Sequence, residues 1–305
     1  MRDAFSNTLV NIAKGDPSVI LLTGDHGYAL FDDFRRECSG QYINAGIAEQ
    51  NMVGMAAGLA KSGFRPVIYG LSAFIPVRVL EQIKLDIAHD SLPVILIGDG
   101  AGLVYSHLGT SHQSTEDIAC TRAIPNLAIY SPCDRFELQA TLLKAYSSLK
   151  PSYIRIGKSD RGDLHDAEIQ NLSNEPLKIY ESRESKTIIF ATGSMVKTAI
   201  EMINEGLISA SVWSVPVIKP INIKSIIDIC ANNRFIITME EHSKFGGLGS
   251  LIAEIISQVN PTKILIIGVN DVFSCFCGTY EYLLSEHNLD KKSIKDQIDA
   301  FIRIC

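Results

Sequence analysis

The sequence predicts an α/β protein with two domains, each built on a mainly parallel sheet flanked by helices. Short apolar runs, such as residues 18–23 (SVILLT) and 93–97 (PVILI), alternate with segments of helical periodicity along most of the 305 residues. This alternation is typical of parallel strands joined by crossover helices. It stops over the polar residues 157–185 and then resumes. We therefore predict three segments, a first domain at 1–160, a linker at 161–185 and a second domain at 186–305.

The elements of the first domain follow from apolar runs bounded by turn residues. A helix is predicted over 2–14, where Phe5, Leu9 and Ile12 share one face. Strands are predicted at 18–23, 42–44, 66–69, 93–97, 127–130 and 152–156. Helices are predicted at 46–61, 74–89, 116–123 and 135–149, with a long polar loop at 103–115. Because ligands bind at the carboxyl ends of strands in such sheets, the loop Gly24-Asp25-His26-Gly27 is a candidate site.

The second domain repeats the same alternation. Strands are predicted at 186–191, 209–215, 234–239 and 263–267, and helices at 194–206, 222–231, 249–258 and 289–303. The glycine-rich run 245–250 (FGGLGS) precedes one of these helices but lacks the full dinucleotide-binding fingerprint. We interpret it as a turn in which Ser250 is the helix N-cap.

Composition excludes several classes of function. The net charge of −6 and the absence of a basic block argue against nucleic acid and against an anionic membrane surface as partners. No apolar run is long enough to span a bilayer, and the first residues do not resemble a signal peptide. The seven cysteines are odd in number and mostly lie inside apolar segments. We therefore expect reduced thiols in a cytoplasmic protein, and no zinc site at Cys275-Phe276-Cys277.

The stretch 43–60 (INAGIAEQNMVGMAAGLA) is predicted to end a strand and continue as a helix of small residues. Small residues allow a close approach of another backbone, which suits a subunit interface. Glu49 lies in the first turn of this helix. Taken alone, it is explained by its attraction to the positive helix N-terminus, worth about 0.3–1 kcal/mol.

Two further motifs are candidates for a functional role. Gly98-Asp99-Gly100, with Asn126 downstream, has the outline of a metal site that holds a diphosphate. Leu127 stands where a second polar ligand would be needed, so we favour a tight turn and predict no metal ligand in this chain. His112 follows hydroxyl-bearing residues in a polar loop beyond a strand end, which makes it a site candidate.

The order of the motifs resembles the transketolase family over essentially the whole chain. The pyrimidine-binding domain of that family is matched by 46–52 (GIAEQNM), 72–74 (SAF), 109–113 (GTSHQ), 125–127 (PNL) and 153–158 (YIRIGK). Its C-terminal domain is matched by 239–250 and 271–284. The resemblance implies a thiamin-diphosphate pyrimidine-binding fold followed by a transketolase C-terminal domain-like fold.

A full transketolase also has a diphosphate-binding domain, for which this sequence shows no counterpart. The chain therefore resembles the second subunit of a split transketolase, active only with a partner that carries that domain. The implied cofactors are thiamine diphosphate and Mg²⁺ (or Ca²⁺) held by the partner. The implied assembly is α2β2, with self-association through the pyrimidine domain. The implied reaction moves a two-carbon ketol unit from a ketose to an aldehyde or ketone.

The resemblance assigns roles to cofactor-binding residues. Glu49 matches the glutamate that hydrogen-bonds the aminopyrimidine ring and is expected to be catalytic. Phe74 matches the first aromatic residue of the pyrimidine pocket, and Val77 and Leu80 stand at its two other aromatic positions. Asp25 matches an acid near the cofactor.

Other matching positions point to the sugar substrate. His112, expected to be catalytic as well, and His26 are assigned to the substrate, and Arg155 and Arg2 to its phosphate. Leu108 and Gly98 stand where the family has an aspartate and a histidine that read the acceptor. These departures favour an acceptor other than a simple aldose phosphate, such as a keto sugar on a carrier.

Two alternatives stay open. A β subunit of a 2-oxoacid dehydrogenase E1 shares both domains and the cofactor, although the loop 109–113 favours a transketolase. A non-catalytic subunit that only holds a partner is the other alternative, against which Glu49, Phe74 and His112 argue.

Overall fold

The computed structural model describes residues 1–158 and 160–304 and contains a seven-stranded and a five-stranded sheet. The strands are β1 (Val19–Thr23), β2 (Tyr42–Asn44), β3 (Arg65–Leu71), β4 (Ile95–Asp99), β5 (Ala128–Tyr130), β6 (Ser152–Ile156), β7 (Leu177–Tyr180), β8 (Thr187–Ala191), β9 (Ser211–Ser214), β10 (Val217–Lys219), β11 (Phe235–Ser243) and β12 (Lys263–Val269). Their orders are β10-β5-β6-β4-β3-β1-β2 and β12-β11-β8-β9-β7. Only β10 and β7 pair in antiparallel fashion. The predicted fold class is confirmed.

Helices cover both faces of the sheets. They are α1 (Arg2–Gly15), α2 (Asp32–Glu37), α3 (Glu49–Lys61), α4 (Leu80–Gln82), α5 (Asp117–Arg122), α6 (Arg135–Ser148), α7 (Ser194–Asn204), α8 (Ile223–Cys230), α9 (Leu248–Val259), α10 (Tyr280–Glu286) and α11 (Lys291–Ile304). In the part of the chain that the structure describes, none of them combines the length and apolar character needed to cross a membrane.

Strand alternation divides the apolar interior into layers. In β1, Leu21 packs in one cluster with Phe5 of α1, whereas Leu22 faces the opposite cluster. That second cluster also contains Phe190 of β8 and Ile252 of α9. Because its members come from both sheets, the two domains pack directly on each other.

The structure differs from the predicted elements where local signals are weak. The predicted helix 74–89 begins late, as a 3₁₀ turn at Val77–Val79, and ends as a π-helix at Ile83–Ala88. The predicted linker contains β7, which forms an edge of the second sheet. The unpredicted strand β10 leaves the second domain to pair with β5 of the first sheet. Helix α10 was also not predicted.

The glycine-rich run at α9 is capped differently from the prediction. Gly247, not Ser250, is the N-cap residue, and the Glu240 side chain takes the place of a cap. Its two carboxylate oxygens accept hydrogen bonds from the backbone N–H groups of Leu248 and Gly249 at 2.7 and 2.8 Å. A carboxylate from a neighbouring strand thus satisfies the first N–H groups of the helix.

The described cysteines are free thiols. Cys38, Cys133 and Cys230 are buried, and Cys120 is half-buried. Cys275 and Cys277 are exposed on the loop before α10. Cys305 lies outside the described residues.

Candidate functional site

The loops that follow β1, β2 and β3 meet at the carboxyl edge of the first sheet. Asn44, the last residue of β2, joins two of them. Its Oδ1 accepts hydrogen bonds from the N–H groups of Asp25 at 3.2 Å and Gly46 at 2.9 Å, and its Nδ2 donates to Asp25 Oδ1 at 3.3 Å. Asp25 and Gly46 both have positive φ angles, of 61° and 72°, which turn the chain sharply at this edge. Asp25 is therefore held in the loop beside the start of α3.

Glu49 is the first residue of α3, and its side chain is 6% exposed. Its described charged partner is Arg78, whose Nη1 lies 3.0 Å from Glu49 Oε1. The Arg78 side chain is 46% exposed and belongs to the 3₁₀ turn after β3. Its guanidinium carbon lies 4.0 Å from the centre of the Phe74 ring. Arg78 thus links the buried carboxylate to the aromatic ring, a role that the sequence did not predict.

Phe74 is the centre of this cluster. Its ring centroid lies 6.0 Å from that of His26 and 5.2 Å from that of His112. His26 Nδ1 is buried and has no hydrogen-bond partner among the described residues. His112 Nδ1 is 3.0 Å from Ser111 Oγ. The structure therefore brings together three predicted residues, together with Glu49 through Arg78.

The two predicted aliphatic pocket residues lie on the same turn as Arg78. Val77 and Leu80 are half-buried, and Leu80 packs against the apolar cluster below the sheet. They follow Phe74 by three and six positions. A flat ring placed on Phe74 would consequently meet an aliphatic wall and not further aromatic side chains.

The loop that carries His112 is fastened at its base. Gly102 and Ser114 exchange backbone hydrogen bonds of 2.8 and 2.9 Å. Leu103 N–H donates to Glu241 Oε1 of β11 at 2.6 Å, and Ser274 Oγ donates to Gln113 Oε1 at 2.9 Å. The second domain therefore positions this loop over the edge of the first sheet.

Arg2 belongs to a separate polar cluster around Asp99. Its Nε lies 3.2 Å from Asp99 Oδ2, which also accepts hydrogen bonds from the hydroxyls of Tyr69 and Tyr105. Burial, with the Asp99 carboxylate adding to it, raises the pKa of both tyrosines. Gly100 follows with a φ of 74°. These contacts fit the predicted tight turn at residues 98–100, and they leave the Arg2 side chain about half exposed at the edge of the sheet.

Arg155 is not placed to bind a substrate phosphate, and the structure corrects this prediction. Its side chain is 4% exposed, and its Nε and Nη2 donate to the fully buried carboxylate of Asp117 at 2.8 and 3.2 Å. Nη2 also donates to the backbone oxygen of Glu241 at 3.3 Å. An arginine saturated in this way cannot reach a ligand, so Arg155 joins the two domains instead.

The Phe74 cluster has the chemistry to hold a small aromatic heterocycle. Phe74, Val77 and Leu80 offer an apolar face, while Glu49 and the unpartnered His26 Nδ1 offer polar atoms at its rim. Such a pocket fits an aminopyrimidine ring. The group of metal-capable side chains identified among the described residues is Cys133, Glu137 and His165. It follows β5, which is separated from β3 by β6 and β4, or about 14 Å at ordinary strand spacing.

Comparisons with known proteins match both halves of the chain. The transketolase pyrimidine binding domain matches residues 1–162, and the transketolase C-terminal domain matches residues 178–294. One of the two apulose-4-phosphate transketolase chains of Phocaeicola vulgatus is 33% identical over 99% of this chain and 97% of its own length. A 1-deoxy-D-xylulose-5-phosphate synthase of Pasteurella multocida is 34% identical over 98% of this chain but 48% of its own length. A structure titled "Split gene transketolase, inactive beta4 tetramer" superimposes with a TM-score of 0.88, at 30% identity over 99% of this chain and 98% of that one.

Proposed function

This chain belongs to the transketolase family, and from that premise we propose that it is the second subunit of a split, thiamine-diphosphate-dependent transketolase. It would move a two-carbon ketol unit from a ketose donor to an aldehyde or ketone acceptor, as a transferase of class 2.2.1. The observation that carries the proposal is the cluster of Glu49, Phe74 and His112 at the carboxyl edge of the first sheet. A relative matched over nearly its whole length, itself named as a transketolase subunit, supports it.

The residues of the cluster fit the aminopyrimidine half of the cofactor. Phe74, Val77 and Leu80 would contact its face, and Glu49 would accept a hydrogen bond from a ring nitrogen. Asp25 would border it from the loop after β1. When bound, thiamine diphosphate supplies the electron sink for carbon–carbon bond cleavage. Glu49 contributes a carboxylate held in a water-poor position, where a hydrogen bond is stronger than in bulk water.

Substrate contacts are assigned to the polar side chains around Phe74. His112 and His26 lie on opposite loops around the ring and would bind substrate oxygens. Arg2, exposed at the same sheet edge, would bind a phosphate. Leu108, whose side chain is exposed in the His112 loop, supports an acceptor other than a simple aldose phosphate.

A partner subunit is needed because the Phe74 cluster offers no set of metal ligands for a diphosphate among its described residues. We propose that the partner holds the diphosphate and Mg²⁺ (or Ca²⁺) in an α2β2 assembly. Self-association would use the exposed face of α3, which presents Ile47, Gly54 and Gly58. The related structure is titled an inactive tetramer of beta chains, which supports both self-association and inactivity without a partner.

We also place the protein in the cytoplasm, since its exposed Cys275 and Cys277 are free thiols. The rival function, an E1 β subunit, differs in substrate. A ketose would be cleaved by a transketolase, whereas pyruvate would be decarboxylated by an E1 enzyme. The family match favours the former.

Reconstitution with a diphosphate-domain partner tests the proposal. We expect ketose cleavage that requires both chains and thiamine diphosphate, and a large loss of turnover in Glu49→Gln. Glu81→Gln, an exposed carboxylate on the neighbouring helix, is the matched control and should keep full activity. Pyruvate decarboxylation without ketose cleavage would favour the E1 function. Full activity of Glu49→Gln would mean that this chain only holds its partner.

A further inference from the structure

A buried cluster of Cys133, Glu137 and His165 lies outside the proposed active site. Cys133 follows β5, Glu137 lies in the first turn of α6, and His165 comes from the segment between the two domains. The cysteine sulfur, a glutamate oxygen and an imidazole nitrogen all lie within 4.8 Å of one another. Glu137 is fully buried, and the His165 side chain is 18% exposed. Side chains from three separate parts of the chain therefore converge on one point.

The hydrogen bonds around the cluster leave two acceptor atoms facing each other. His165 Nδ1 lies 2.9 Å from Asp134 Oδ2, which also accepts hydrogen bonds from the backbone N–H groups of Leu164 and His165. Asp134 as a carboxylate can only accept, so Nδ1 carries the hydrogen and a neutral His165 has its lone pair on Nε2. That lone pair lies 3.9 Å from Glu137 Oε1.

The facing oxygen is itself unsatisfied. Glu137 Oε2 accepts a hydrogen bond from Cys133 N–H at 2.7 Å, whereas the buried Oε1 has no partner among the described residues. A buried carboxylate oxygen without a partner is costly. The Ser214 hydroxyl of β9 borders Cys133 and Glu137 and also makes no hydrogen bond of ordinary geometry with a described residue. An electron-pair acceptor at the centre of the cluster would satisfy these atoms together.

We propose that this cluster is a zinc site formed by Cys133 Sγ, Glu137 Oε1 and His165 Nε2. Thiolate, imidazole and carboxylate together favour zinc, whereas Mg²⁺ and Ca²⁺ prefer oxygen ligands alone. Ligands of a tetrahedral zinc lie about 3.4 Å apart, so small side-chain rotations would close the present spacing. Water or Ser214 Oγ would complete the coordination. The thiol proton is released to solvent when the Zn–S bond forms.

The surroundings match those of zinc sites in proteins. A ligating histidine commonly donates its other N–H to a carboxylate, which is the role of Asp134 here. The two negative charges of thiolate and carboxylate would balance Zn²⁺. Cys133 packs in the apolar cluster of the second domain with Met195 and Ala191. The ion would therefore tie the 160–176 segment to the junction of both domains, and its role would be structural.

Zinc titration of the metal-free full chain tests this inference. We expect one Zn²⁺ bound per chain, an increase in the thermal unfolding midpoint, and thiolate-to-metal charge-transfer absorption when Co²⁺ replaces Zn²⁺. His165→Gln, on a peripheral segment, should fold and should weaken binding by more than about 100-fold. Cys133→Ser should abolish the charge-transfer band.

The exposed pair Cys275 and Cys277 provides the matched control. A Cys275→Ser, Cys277→Ser variant should bind Zn²⁺ as the wild type does. Loss of binding in that variant, or unchanged binding in His165→Gln, would overturn the assignment. So would a wild type that binds no zinc, or an NMR spectrum in which His165 is a doubly protonated imidazolium bridging Asp134 and Glu137.

Discussion

Replacing Arg78 by methionine should destabilise the isolated chain, because it leaves the Glu49 carboxylate buried without its cation. The side chains are 46% and 6% exposed, so the pair lies between two measured classes. Exposed pairs are worth about 0.2–1 kcal/mol, and removing one partner of a fully buried pair costs about 3–5 kcal/mol. The guanidinium over the Phe74 ring adds about 0.5–1 kcal/mol. We expect a loss of about 1–2 kcal/mol for Arg78→Met.

A double-mutant cycle separates this interaction from other effects of the substitution. Urea unfolding is measured for the wild type, Arg78→Met, Glu49→Gln and the double variant. We expect a coupling energy of about 1 kcal/mol, because each single change leaves an unpaired partner and the double change does not. Lys61→Met is the control, since its pair with Asp90 joins two largely exposed side chains and should contribute less than about 0.5 kcal/mol.

The reasoning fails if the Arg78 and Glu49 changes are additive within about 0.3 kcal/mol. The carboxylate would then be stabilised by the N-terminus of α3 alone, as its position in the sequence first suggested. It also fails if Lys61→Met costs as much as Arg78→Met, because burial would then not decide the energy.

The remaining predictions concern a buried proton, a buried ion pair and an exposed helix face. Burial lowers the pKa of His242 to about 4 and raises that of Glu240 to about 7, so over about pH 4.5–6.5 folding moves one proton from the histidine to the glutamate and the pair adds no pH dependence. Glu240→Gln exposes the histidine contribution, and thermal melts should then show stability falling by about 2–3 kcal/mol from pH 6.5 to pH 4; a variant as flat as the wild type would contradict this. Arg155→Met should cost about 3–5 kcal/mol in urea unfolding by stranding Asp117, and a loss below about 1 kcal/mol would show that the pair is dispensable. Gly54→Ala, in open space on α3, should stabilise a monomer by up to about 1 kcal/mol but weaken self-association in sedimentation experiments, and unchanged association would place the interface elsewhere.

Most strands could be predicted because their signal is local. A buried parallel strand such as β4 is a short apolar run, and its burial is complete along its length. The order of motifs identified the family, and the matches to both of its domains confirm that resemblance. The ends of β1, β2 and β3 then had to meet, which is why His26, Phe74 and His112 were predicted together.

The missed features depend on contacts between distant residues. β10 is short, and only its pairing with β5 makes it a strand. Arg78 carries no local sign of its role, since its partner Glu49 lies 29 positions away. The assignment of Arg155 to a phosphate failed for the same reason, because the sequence does not reveal that Asp117 neutralises it. The cluster of Cys133, Glu137 and His165 follows no standard ligand spacing.

The strand β10 has a consequence for any attempt to divide the chain. A polypeptide that stops in the segment between the domains would leave the β5 edge of the first sheet open, and open edges promote aggregation. A peptide that spans residues 211–222 would carry the missing strand and could rescue such a fragment by complementation. The boundary drawn between domains in the sequence is therefore not a place where the folded protein can be cut into independent modules.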